Sequence, residues 1–117
     1  MAPGESFHYE VDETEDEDQY LTTVIHCHGR LISENTAEIR SLVQPMITRG
    51  GHIILDFTDL EYLDSSGLGA IVGLKVSSIN RGLCKLELVH LTPRVRKLLS
   101  LTNLLQLFSE QVPSNLL

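Results

Sequence analysis

Two serines and an aspartate stand at the start of a glycine-rich stretch, and all three side chains could take part in chemistry. Residues 63–73 read LDSSGLGAIVG, with Asp64 directly before Ser65 and Ser66. A serine at such a turn could act as a nucleophile, border a phosphate-binding loop, or accept a phosphoryl group itself. Since each glycine inside a helix costs about 1 kcal/mol relative to alanine, the glycines that follow require an explanation.

The residues argue against a hydrolytic serine. The nucleophile turn between a strand and a helix has the pattern GxSxG, whereas Leu63 and Asp64 precede the serines here. No aspartate follows Asp64 in the chain, which leaves Glu87, Glu110 and His90 as partners for a triad. A small enzyme that uses this turn is therefore the least favoured function.

The glycines also fit a nucleotide-binding loop poorly. Gly67, Gly69 and Gly73 give GxGxxxG rather than GxGxxG, and no GKS or GKT follows. Two carboxylates just upstream, Glu61 and Asp64, would repel a bound phosphate. A serine that is itself modified remains the interpretation that explains the glycines.

Small residues recur at helical spacing after the aspartate, so one flank of the predicted helix should be nearly bare. They are Ser66, Gly69, Gly73 and Ser77. The backbone of a partner could approach such a flank closely, and a phosphoserine would add about −1.5 to −2 charges beside it. The helix terminus tolerates an anion, while docking would be prevented. Alternatively, the flank packs on a neighbouring helix of the same chain, and Asp64 or Ser65 only caps the helix.

Composition and charge narrow the class of protein. The 117 residues are 42% hydrophobic and 21% charged, which is ordinary for one compact domain. The net charge is −7, and residues 1–64 hold 14 of the 16 acids but only 3 of the 9 bases. This balance argues against nucleic-acid binding, which requires a basic surface. Without an apolar run of about 20 residues or a secretion signal, we expect a cytoplasmic protein that does not cross a membrane.

Three further groups of residues favour ordinary structural roles. Residues 10–18 contain seven acids but lack the central glycine of an EF-hand, so we expect a solvated hairpin loop. Cys27 and Cys84 should be buried free thiols. His26 and His28 should share one face of a strand with Cys27 opposite, and we interpret them as surface residues rather than a metal pair.

The first half of the chain predicts a hairpin and a helix. SFHYEV and YLTTVIHCHGRL alternate like strands and should pair antiparallel. A helix should run from about Asn35 to Arg49, because Asn35 and Glu38 resemble a capping box. Pro45 should kink or shorten its last turns.

The second half predicts two more strands and two helices. HIILDF is typical of a central strand buried on both faces, and LCKLELVHL of a further strand. Between them, one apolar stripe predicts a helix ending at NRG: Leu68, Ile71, Val72, Val76 and Ile79. Thr92 and Pro93 should start a third helix, and Asn103 should take the left-handed exit. A short apolar element and a loose tail, residues 109–117, should follow.

This order predicts an α/β fold, with a mixed sheet of about four to five strands and three to four helices. The stretch GHIILDFTDLEYLDSSGLGAIVGL, followed by TPRVRKLLSLTNLLQLF, resembles the STAS domain, in particular bacterial anti-sigma factor antagonists. The resemblance covers about residues 20–110. It implies one STAS domain over residues 1–117, including an amino-terminal strand and acidic hairpin at 5–19.

The resemblance implies a phosphorylation-switched binding module without catalytic activity or cofactor. The acceptor would be Ser65, and less readily Ser66. The partners would be an anti-sigma factor that is also a serine kinase, whose binding releases a sigma factor, and a metal-dependent phosphatase. The protein would be a monomer or weak dimer. The partner-binding residues would be Asp64, Ser66, Gly67, Gly69, Gly73 and Ser77.

One segment departs from the family pattern. Relatives often have an aspartate in a GxLD pattern after the second strand, whereas GRLISENTAE has Ile32 and Ser33 here, which bears on which kinase recognises the chain. The alternative function is a STAS scaffold or ligand-sensing module in another signalling complex. Arg94, Arg96 and Lys97 oppose the dipole of the third helix and are either a partner contact or a solvated face.

Overall fold

A mixed four-stranded sheet carries the helices of this α/β fold, as the sequence predicts. The computed structural model describes residues 6–109. In chain order its elements are β1 (His8–Glu15), β2 (Leu21–Leu31), a 3-10 turn (Ser33–Asn35), α1 (Thr36–Arg49), β3 (Gly51–Leu63), α2 (Ser65–Arg81), β4 (Cys84–Val89), α3 (Pro93–Leu101) and α4 (Leu105–Ser109).

The sheet is covered by α1 and α2 on one face. The strands lie in the order β1-β2-β3-β4, with β1 antiparallel to β2 and the other three parallel. Because right-handed crossovers that advance in one direction place successive helices on the same side, α1 and α2 share a face and pack against each other. We call the opposite face of the sheet β1–β4 the open face.

The hydrophobic core lies between the sheet and the helices. Ile53, Leu55 and Phe57 of β3 are buried toward it, whereas Ile54 and Asp56 are only partly buried on the open face. The expectation that HIILDF is buried on both faces is therefore wrong, because no helix between parallel strands crosses to the second side. The strand also continues past this run to Leu63.

The acidic segment is mainly a strand rather than a loop. Glu10 to Glu15 pair with β2 in an antiparallel register, from Glu10 opposite His26 to Glu15 opposite Leu21. The hairpin itself is confirmed, but its turn is confined to the residues around Asp16, whose Oδ1 accepts the amides of Asp18 and Tyr20. Charge on an edge strand disfavours pairing with another chain, so the acids are compatible with a strand here.

Helix α1 spans the residues that the sequence predicts, but its start is not capped in the predicted way. The Asn35 side chain makes no capping bond; its Oδ1 accepts the Ile32 amide at 3.3 Å, so the predicted capping box with Glu38 is absent. Pro45 does not shorten the helix, which continues to Arg49. Gly50 then follows with φ 91°, a conformation that favours glycine.

Side chains of α2 protect the outer edge of β4. The carbonyl oxygen of Leu83 accepts a hydrogen bond from the Gly51 amide of β3. Because successive carbonyl groups of a strand point to opposite sides, those of Cys84 and Leu86 point away from β3. Ser78 Oγ donates to Cys84 O and the buried Lys75 Nζ donates to Leu86 O, each at 2.8 Å. These bonds occupy edge carbonyls that another strand would otherwise pair with.

The last two helices follow the sequence closely. Thr92 accepts the Val95 amide at 3.3 Å and Pro93 occupies the first turn of α3. Asn103 has φ 60°, which confirms the left-handed exit. The short apolar element is α4, and Phe108 joins the core. Most of the predicted tail, residues 109–117, lies outside the described residues.

Candidate partner-binding site at the start of helix α2

Asp64 links the start of α2 to the turn that follows β2. Its Oδ1 accepts the Gly67 amide at 2.8 Å, which makes it the N-cap of the helix. Its Oδ2 accepts the Ser33 amide at 3.2 Å, and its own amide donates to Leu31 O. The carboxylate therefore fixes two backbone segments at once, one of which is the segment where the sequence departs from the family pattern.

Gly67 allows α2 to begin directly above β2. A Cβ atom on Gly67 would lie 2.3 Å from Leu31 O and 2.9 Å from Leu63 Cδ1, far inside contact distance. Gly67 is buried, so it is not part of the exposed surface on which the sequence had placed it. Its role is close packing of the helix terminus on the sheet.

The other glycines and both serines of the motif face solvent. Ser65 and Ser66 are exposed in the first turn of α2. A Cβ atom on Gly69 or Gly73 would meet no other atom within 4 Å, so this flank of the helix is bare. The position of Ser65, one residue after the cap, leaves its hydroxyl side chain accessible to another protein.

Two apolar side chains of α2 are exposed next to this flank. Val76 is 42% exposed and Ile79 48%, although the sequence placed both on the core stripe. The core side of the helix instead includes Leu74, Lys75 and Ser78. The spacing of apolar residues could not predict which side of the helix is buried, because a lysine and a serine occupy positions that face the sheet edge. We define the α2 docking surface as Ser65, Ser66, Gly69, Gly73 and Val76.

Ser77 belongs to a contact within the chain. It is half-buried, and its Oγ accepts a hydrogen bond from Gln44 Nε2 of α1 at 3.3 Å. At this end of the row of small residues, α2 therefore packs on a neighbouring helix of the same chain, as the alternative interpretation predicted. The bare part of the flank is limited to the first three turns.

The cysteines and histidines lie away from this surface. Cys27 and Cys84 are free thiols, but only Cys27 is buried as predicted, whereas Cys84 is partly exposed. Burial raises the pKa of Cys27 to about 12. His26 and His28 share the open face, as predicted. Among residues 6–109, no three His, Cys, Asp or Glu side chains are grouped so that they could hold a metal ion. In the same part of the chain, no helix has both the length and the apolar character of a membrane span.

Solved structures share this fold. The phosphorylated form of SpoIIAA, a cell fate determinant of Bacillus, is 25% identical, with a TM-score of 0.65 over 85% of this chain and 86% of that one. The unphosphorylated anti-sigma factor antagonist SpoIIAA is 28% identical, with a TM-score of 0.64 over 85% and 82%. A part of the murine anion transporter Slc26a9 shares the fold at 21% identity and a TM-score of 0.55, over 68% of this chain and 13% of the transporter.

A search of curated proteins gave no match. A family model, described as the STAS domain, matches residues 10–116. The matched segment includes the whole motif at the start of α2 and every strand of the sheet except the first two residues of β1. The chain therefore belongs to the STAS domain family.

Proposed function

We propose that the protein is a bacterial, cytoplasmic anti-sigma factor antagonist without catalytic activity. In its unmodified form it binds an anti-sigma factor serine kinase through the α2 docking surface, and a sigma factor is released. The kinase phosphorylates Ser65, which ends the binding. A metal-dependent phosphatase removes the phosphoryl group and restores the binding form.

The accessibility of Ser65 beside a bare helix flank is the observation that supports this proposal. Gly69 and Gly73 leave room for the backbone of a partner, and Val76 offers an apolar contact next to them. A surface that combines close approach with partial apolar character is suited to protein docking. The similarity to SpoIIAA, known in a phosphorylated and an unphosphorylated form, supports the same assignment.

The local charges explain how a phosphoryl group would act as a switch. Asp64 already places one negative charge at the start of α2, where it accepts two backbone amides. A phosphoserine at position 65 would add about −1.5 to −2 charges at the same end of the helix. The helix N-terminus favours anions, so the fold is retained. An acidic partner surface would be repelled, and an apolar one would have to desolvate the phosphoryl group.

Phosphate mapping tests the acceptor. The protein is incubated with ATP and each candidate anti-sigma factor kinase of its source organism, and the modified residue is located by mass spectrometry. We expect labelling of wild type and of the matched Ser66→Ala variant, and none of Ser65→Ala. Equal labelling of Ser65→Ala would show that Ser65 is not the acceptor.

A binding assay tests the docking surface separately from the acceptor. Gly73→Arg adds a long side chain to the bare flank and should abolish capture of the kinase in a pull-down. Ser100→Arg places the same side chain at an exposed position of α3 and should leave capture unchanged. Ser65→Asp should also lose binding. Capture of all three variants at the wild-type level would exclude the switch and favour a scaffold function for the STAS domain.

A further inference from the structure

The histidines of the described chain are concentrated on the open face. His8, His26, His28 and His52 lie on strands of this face, and His90 follows β4 at its end. All of them except His8 approach a carboxylate within 3.4 Å. Neither the serine motif nor the α2 docking surface accounts for this arrangement.

His26 occupies the centre of the group and connects three strands. From β2, its Nδ1 lies 3.0 Å from Asp56 Oδ2 on β3, and its Nε2 lies 3.2 Å from Asp12 Oδ2 on β1. The corresponding distances from His28 to its two carboxylates are longer, 3.3 and 3.4 Å. His26 is thus the side chain best placed to join the edge strand β1 to the centre of the sheet.

The protonation state of the ring decides whether both contacts are favourable. A neutral imidazole carries one N–H, so it donates to one carboxylate and turns a lone pair toward the other. An imidazolium donates from both nitrogens and adds a charge-assisted bond to each partner. We propose that protonated His26 is a proton-dependent clasp that strengthens the attachment of β1 to the sheet, and that this attachment weakens when the ring loses its proton.

The surrounding groups favour the charged ring. Glu10 of β1 and Asp59 of β3 each contact the neighbouring His28 and line the same pocket as His26. His90 forms a hydrogen bond with the second oxygen of Asp56 at 3.0 Å. Four carboxylates therefore surround the two histidines of β2. The hydrogen bond to Asp56 raises the pKa of His26, partial desolvation opposes this, and the bond to Asp12 raises it further.

The direction of the pH effect follows from linkage. A histidine whose pKa is raised by folding contributes stability that is complete below its unfolded pKa, about 6.5. That contribution is lost as the pH rises through the folded pKa. The clasp is therefore closed in weak acid and opens toward alkaline pH. It affects β1 first, because Asp12 lies on β1 and this edge strand pairs only with β2 among the described strands.

A histidine titration by NMR tests the clasp. Ring and backbone signals of the intact protein are followed between pH 5 and 9 with a chelator in every buffer, so that metal binding does not contribute. We expect the His26 ring to titrate above about 6.5, the ordinary histidine value, and the amides of β1 to shift with the same midpoint. A His26 midpoint at or below the ordinary value would overturn the proposal.

Matched variants separate the clasp from general charge effects. Asp12→Asn removes one carboxylate of the clasp, and Glu17→Gln removes one charge from the exposed turn of the same hairpin. Asp12→Asn should lower the His26 midpoint and abolish the coupled shift of β1, while Glu17→Gln should leave both nearly unchanged. Equal effects of the two variants, or β1 shifts that persist in His26→Gln, would show that His26 does not control the strand.

Discussion

Alanine at Gly67 and alanine at Gly73 should change stability in opposite directions, although both replace a glycine of the same helix. By intrinsic preference alone, each substitution would stabilise α2 by about 1 kcal/mol. At Gly73 the new methyl group meets no atom within 4 Å beyond its own stretch of helix, so this gain should be retained. At Gly67 the methyl group would lie 2.3 Å from the carbonyl oxygen of Leu31.

The expected difference in stability between the two variants depends on which atoms must move to make room for the methyl group. Leu31 O is backbone and accepts the Asp64 amide, so it cannot rotate away as a flexible side chain would. Forcing a methyl group into a close-packed site costs about 1–3 kcal/mol. Displacement of the helix start also weakens the Asp64 cap, which contributes about 1 kcal/mol. Gly67→Ala should therefore be less stable than Gly73→Ala by roughly 3 kcal/mol in total.

Urea unfolding followed by circular dichroism measures this difference. With a slope of about 1–3 kcal/mol/M for a small domain, the two midpoints should differ by about 1–3 M urea. The midpoint of Gly73→Ala should lie above that of the wild type, and the midpoint of Gly67→Ala below it. If Gly67→Ala unfolded at the same urea concentration as Gly73→Ala or higher, the packing role assigned to Gly67 would be refuted.

Three further predictions concern single side chains. Asp64→Ala removes the cap of α2 and the bond to the Ser33 amide, and should lower the free energy of unfolding by about 1–2 kcal/mol, measured in urea. Burial tends to raise the pKa of Asp56, but bonds from Thr58, His90 and His26 hold it well below the usual range. Asp56→Asn should therefore be destabilised at pH 6, with the gap to wild type narrowing as the pH falls below about 4; a constant gap would contradict this. Cys27 should react with a thiol reagent at pH 8 only after unfolding, and rapid native labelling at that residue would exclude its burial.

Local signals in the sequence were sufficient for most of the architecture. The alternation of short apolar runs with helical periodicity predicted the α/β order, and Thr92, Pro93 and Asn103 marked the ends of α3 correctly. Asp64 could be identified as a possible cap because an aspartate directly before a helix accepts hydrogen bonds from the first backbone amides of that helix. Such features depend on residues within about one helical turn of each other.

The errors arose where a residue's role depends on distant parts of the chain. The acids of the first strand looked like a loop, since pairing with β2 cannot be read from charge alone. Val76 and Ile79 looked like core residues, yet Lys75 and Ser78 face the sheet because they reach carbonyls at the edge of β4. Here a tertiary contact outweighed the hydrophobic pattern.

The order of the residues along the chain was enough to predict the element order, the motif at the start of α2, and a row of small residues along that helix. The different roles within that row depend on the folded arrangement: Gly67 packs on Leu31, Gly69 and Gly73 face solvent, and Ser77 bonds to α1. Likewise, only the sheet register brought Asp12, His26 and Asp56 together from three strands. The physical reason is that spacing along the chain fixes which side chains share a face, whereas the neighbouring element that each face meets is fixed by packing.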